Sequence, residues 1–174
     1  MSALASVVAM ALLSAPSPSP AGTPEGVVRH FYTAYLEIHP PGGLPDTDQL
    51  SQLSPFLSSR LRRLIADALR YDKDFARRHP GEKPPFVDGE FFSSNFEGAT
   101  HFDVGSVERQ GAGYRVSVEF EYRDPGRPED PFHWKDAIIV VEERGHLVID
   151  DVEFLGDWPF GNHGRLSSIL RVRD

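Results

Sequence analysis

The chain has 174 residues, a length that fits one domain with or without a removable leader. It contains no cysteine, which excludes disulfides, thiolate metal sites, cysteine nucleophiles and a lipid-modified N-terminal cysteine within these residues. Asp and Glu number 26 against 18 Lys and Arg, a net charge of −8 whose field repels phosphate backbones and anionic membrane surfaces, so no nucleic-acid partner is expected.

Leu4 to Leu13 form an uncharged apolar run. It is too short to span a bilayer, for which about twenty residues are needed, but it matches the core of a secretory signal. The Pro/Ser-rich stretch Ser14 to Pro20 follows. Ala15 is one possible cleavage point, disfavoured by Pro16; cutting after Ala21, with Ser19 as the second small residue, is chemically easier. No Lys or Arg precedes the run, a departure from the usual signal. The division expected is a signal peptide over 1–21 and one domain over 22–174. Its setting is periplasmic or secreted, with no membrane insertion once the leader is gone.

Thr23, Pro24 and Glu25 carry the signs of a helix start: a capping hydroxyl, a proline at the first position and an acidic residue at the positive end of the dipole. Val27, Val28, Phe31, Ala34, Tyr35 and Ile38 then recur at helical spacing, and His39 to Gly43 end the helix. Ser54-Pro55 repeats the start signal. Beyond it Leu57, Leu61, Leu64, Ile65, Ala68, Leu69 and Phe75 predict a long amphipathic helix ending near His79-Pro80-Gly81.

The second half changes period. His101 to Arg109 alternates through Phe102, Val104 and Val107, with Gly105 at a kink, and Gln110 to Gly113 turns the chain. From Tyr114 to Arg123 the alternation is strict, the mark of a half-buried strand. Asp124 to Pro131 is a loop, and Trp134 to Glu143 reads as a central strand buried on both faces. A turn at Arg144-Gly145 or Gly145-His146 leads into a last strand, His146 to Leu155. There Leu147 and Ile149 are out of phase with Val152 and Phe154, and a β-bulge at Asp150-Asp151 would return all four to one face. A short helix from Leu166 to Val172 closes the chain. Two N-terminal helices before an antiparallel meander of at least four strands make an α+β fold.

No phosphate loop, dinucleotide fingerprint, HExxH, calcium loop or serine elbow is present. His101 and Asp103 share a strand face and form a weak ligand-binding candidate, but with no third ligand in the pattern neither a metal nor a cofactor is expected. Asp150 and Asp151 are the candidate carboxylates. Facing an apolar cavity, one would have a raised pKa and could serve as a general base; beside a bulge, it would accept from unpaired backbone N–H groups. Tyr32 and Tyr35 are either polar contacts in such a cavity or core tyrosines.

Val27 to Leu36 (VVRHFYTAYL), Leu53 to Leu61 (LSPFLSSRL), Asp88 to Asn95 (DGEFFSSN), Leu147 to Phe154 (LVIDDVEF) and Gly164 to Leu170 (GRLSSIL) together resemble the DUF3828 family of bacterial exported proteins. The resemblance covers nearly all of residues 22–174, though Leu147 stands where that family usually has Trp. It implies an NTF2-like (cystatin-like) cone, helices covering the concave face of a bent sheet, in an exported protein. It brings no established activity. Three functions fit. The first is a non-enzymatic extracytoplasmic module that binds a protein or small ligand. The second is an isomerase- or dehydratase-type enzyme with Asp150 or Asp151 as base and Tyr32 or Tyr35 as donor. The third is a periplasmic immunity or inhibitor protein.

Overall fold

In the computed structural model, residues 22–38 and 42–171 are described. Helix α1 (Pro24–Ile38) is followed by α2 (Thr47–Leu53), a 3-10 turn (Ser54–Phe56) and α3 (Ser59–Arg78). Strands β1 (His101–Gln110), β2 (Gly113–Tyr122), β3 (Phe132–Glu143), β4 (His146–Phe154) and β5 (Gly164–Arg165) come next, then α4 (Leu166–Ile169). The sheet runs in chain order from β1 to β5, every neighbouring pair antiparallel. The α+β class read from periodicity is the observed one.

Four features differ from the expectation. The N-terminal half has three helices, not two. The extra one, α2, is held by a reciprocal cap: Asp46 accepts from the Asp48 and Gln49 backbones while Gln49 accepts from the Asp46 N–H. Ser54-Pro55 starts only the 3-10 turn; the long helix begins at Ser59, where Ser58 caps the Leu61 N–H at 3.0 Å. Leu57, freed from the helix, is extended and makes a parallel bridge to Ile149. In the sheet, β4 is not the last strand, because β5 pairs with Glu153 and Phe154. The closing helix is also shorter than expected, ending at Ile169 with Leu170 and Arg171 outside it, while Val172 and the expected signal peptide over 1–21 lie outside the described residues.

The start of α1 follows the sequence signal, Thr23 Oγ1 accepting from the Gly26 N–H at 3.0 Å. Its buried face, Val27, Val28, Phe31, Tyr32 and Tyr35, lies across the sheet and touches β1, β2 and β4. It meets Val116, Val118 and Phe120 of β2 and Trp134, Ile138 and Val140 of β3 in one core. Each such apolar side chain contributes about 1.5–3 kcal/mol by leaving water. The opposite face of the sheet is largely ionic, with Arg115–Glu153 at 2.9 Å and Lys135–Glu119 at 2.5 Å.

Two irregularities bend the strands. In β1 the register slips between Val104 and Val107, and a Cβ on Gly105 would meet Ser117 Oγ at 2.5 Å, so a larger residue there would have to turn the serine hydroxyl aside. In β4, Ile139 pairs with Asp151 and Val140 with Ile149, which leaves Asp150 as the extra residue. Ile149, Val152 and Phe154 are all buried in the core, and Leu147 packs against it.

Candidate functional site

Between α3 and β1 the chain has no helix or strand, yet Phe91, Phe92, Ser93, Ser94 and Asn95 are consecutively buried. Such a strap is stable only if its backbone polar groups find partners elsewhere. Glu90 Oε1 accepts from the Phe91 and Phe92 N–H groups at 2.8 and 2.5 Å, and from the Tyr35 hydroxyl at 2.6 Å. Tyr32 donates to the Phe92 carbonyl at 2.7 Å. The Asn162 side chain donates to the carbonyls of Glu90 and Ser93 at 2.6 and 2.9 Å. Asp136, on the inward face of β3, accepts from the Ser94 N–H and hydroxyl, the Trp134 indole and the Leu155 N–H.

Phe92 packs at a steep tilt against Phe31 and edge-on against Tyr35, with ring centroids 5.0 and 5.1 Å away. The strap therefore plugs the space between α1 and the sheet. What remains beside Tyr32, Tyr35 and Glu90 is about 10 Å³, room for one water at most. Burial pushes the carboxyls of Glu90 and Asp136 above their ordinary values, opposed by the hydrogen bonds they accept. Burial likewise raises both tyrosine hydroxyls, with Asp136 and Glu90 adding to it at Tyr32 and Glu90 at Tyr35.

The tyrosines thus face Glu90 and the strap, while the two candidate aspartates are engaged elsewhere. Asp150 accepts from Ser58 Oγ at 2.6 Å and forms an ion pair with Arg60 at 2.7 Å. Burial raises its carboxyl, but the Arg60 and Ser58 hydrogen bonds outweigh that and hold it below the ordinary value. Asp151 is buried and accepts from the Val152 N–H and from both the N–H and hydroxyl of Ser167, tying α4 to the bulge. Neither lines the small tyrosine cavity. His101 and Asp103 pair at 3.4 Å on the open sheet face, 64% and 76% exposed. Among the described residues no cluster of three or more His, Asp or Glu is placed to hold a metal.

Sequence reasoning passed over Glu90 and Asp136. Asp136 was legible as a charged residue in the inward phase of β3, between Trp134 and Ile138. Glu90 had no such signal, since its segment has no periodicity.

A wider concavity opens where the start of α1 meets the β3–β4 hairpin. This groove holds about 480 Å³, within the range of small-molecule sites. Val27 and Phe56 supply apolar floor, Leu147 joins them from β4, and His30, Glu142, His146 and Gly22 stand around it. Val27 and His30 share a face of α1 at three-residue spacing. Glu142 and Leu147 are cross-strand partners, brought opposite by the Arg144-Gly145 turn, whose two residues have φ of 54° and 81°. The Tyr114 hydroxyl, also in the lining, accepts from Arg109 Nη1 at 2.8 Å, which leaves its own proton to donate. Among the described residues the side chains of His30, Glu142 and His146 make no hydrogen bond or ion pair. They are available to a ligand.

The chain is similar to an uncharacterized lipoprotein of Escherichia coli (strain K12), YbjP, at 25% identity over 154 residues, 87% of this chain and 78% of that protein. No family model matches. No solved structure matches. No helix among the described residues is long and apolar enough to cross a membrane.

Proposed function

We propose that this chain is an exported, non-enzymatic binding module built on an NTF2-like cone, and that it recognises its ligand or partner at the groove beside the start of α1. One contrast carries the reading. The interior that an enzyme of this shape would use is plugged to about 10 Å³, whereas the groove offers about 480 Å³ lined by unengaged polar side chains.

Further observations support it. The apolar run before Ser14 reads as a leader, the resemblance to DUF3828 points to exported proteins, and the E. coli relative is described as a lipoprotein. These 174 residues contain no cysteine, so the lipid-on-cysteine chemistry that a lipoprotein uses has no acceptor among them. The enzyme reading needs an Asp carboxylate and a tyrosine converging on an enclosed pocket. Asp150 and Asp151 instead saturate Arg60, Ser58, Val152 and Ser167, which favours a structural role.

Native mass spectrometry of the full chain, recovered from the extracytoplasmic fraction of its host, tests the proposal. A retained ligand or partner is expected, lost on filling the groove with His30→Trp and kept in Lys135→Trp on the far sheet face. A wild-type protein that retains nothing, or two variants that behave alike, would overturn it.

A further inference from the structure

Gly22 is at once a lining residue of the groove and the residue that follows the cleavage point read from the sequence. The stretch 1–21 carries no charged side chain, and a cut after Ala21 creates an α-ammonium group on Gly22, a charge that the uncleaved chain does not carry at that position. Resting on the reading of the chain as an exported binding module, we infer that leader removal completes an anion site. The new α-ammonium group of Gly22 joins His30, His146 and the Tyr114 hydroxyl around the head of an amphipathic monoanion, whose apolar body lies on Val27, Phe56 and Leu147.

The balance of groups argues for an anion in an otherwise acidic protein. Glu142 is the acidic side chain in the lining, against the two imidazoles, the tyrosine proton and the Gly22 amine. Arg109 adds a cation behind Tyr114, its guanidinium carbon 5.0 Å from the ring centroid. Space around Gly22 is open, with nothing within 4 Å of a Cβ placed there. A carboxylate bearing a short alkyl or aryl group satisfies both halves of such a groove: donors for the head, apolar area for the tail.

The full chain is produced through an export route, and the N-terminus of the recovered protein is read by mass spectrometry. Calorimetric titration then compares octanoate, octanol and octylammonium. A protein beginning at Gly22 is expected to bind octanoate in preference to octanol and about tenfold more tightly than octylammonium. Selective acetylation of the α-amine, or retention of the leader in chain made in the cytoplasm, weakens octanoate about two- to fivefold, the effect of one exposed charge. Glu142→Gln tightens it by a similar factor. Cleavage elsewhere would overturn the leader boundary on which the inference rests. A protein that begins at Gly22 yet binds octanoate no better than octanol overturns the anion assignment alone, leaving the binding-module reading to its own test. Octanoate binding that ignores acetylation overturns the role of the amine.

Discussion

Asp136 and Ser94 lie 42 positions apart and are joined twice, the Ser94 N–H donating to one carboxylate oxygen at 2.7 Å and its hydroxyl to the other. Trp134 and the Leu155 N–H complete the set at 3.1 and 2.9 Å. This carboxylate, fully buried, is the acceptor on which the strap closes against the sheet. Asp136→Asn replaces one acceptor oxygen with a donor facing donors. The expected loss is about 2–4 kcal/mol, a fall in Tm of roughly 5–15 °C by thermal unfolding. Asp103→Asn, on the exposed face, is expected to stay within about 0.5 kcal/mol of wild type. Equal Tm values for the two variants would remove Asp136 from the account of the plug.

The two aspartates of the bulge differ in what they leave behind. Asp151→Ala strands the Val152 and Ser167 N–H groups and the Ser167 hydroxyl in a buried site, at a cost of about 2–3 kcal/mol. Asp150→Ala breaks a pair whose side chains are 21% and 38% exposed, so solvent screening limits the loss to about 1 kcal/mol. Urea unfolding of both variants should rank Asp151 above Asp150; the reverse order would mean that the Arg60 pair, not the α4 tether, holds the bulge.

Phe92 fills the interior. Phe92→Ala is expected to cost about 3–5 kcal/mol and to leave an apolar cavity beside Phe31 and Tyr35 that takes up toluene or xenon. Heteronuclear NMR of the variant with and without the guest gives the answer. Shifts confined to residues of α1 and β2 are expected, and an unchanged spectrum would show that the core collapses into the space.

Stability should respond to acid in two opposite ways. Asp72, Glu90 and Asp136 hold protons more tightly when folded because burial penalises their charge. Folding therefore gains as pH falls through their folded-state pKa values, and the gain is complete below the ordinary values of 3.8 and 4.5. Asp150 and Glu143 are held down, Asp150 against its burial by Arg60 and Ser58, Glu143 by Ser59. Their contribution is complete above those ordinary values and is lost as pH falls below them. Urea midpoints measured from pH 7.5 to 3 should pass through a maximum on the acid side of neutrality. In Asp136→Asn the rise toward that maximum should be smaller. A midpoint that falls steadily from pH 7 downward would contradict the burial of these carboxylates.

Much of the framework was legible in the residue order. The helical stripe from Val27 to Ile38 and the two-residue alternation of Tyr114 to Arg123 report which side of each element leaves water, and that is a local property. The phase change between Ile149 and Val152 revealed the bulge for the same reason: an extra residue is visible wherever a period of two breaks. The Asp46-Gln49 cap was also written locally, in a segment too short for periodicity to mark.

What the tertiary structure alone decided is which distant groups satisfy one another. Glu90 meets Tyr35 across 55 positions, Asp136 meets Ser94 across 42, and Asp150 meets Arg60 across 90. Nothing in the spacing of residues encodes such meetings, because a carboxylate accepts from any donor that packing delivers. For the same reason the plugged interior and the groove at Gly22 emerged only once α1, the strap and the β3–β4 hairpin had been brought together. Burial is read from pattern; partnership is settled by the fold.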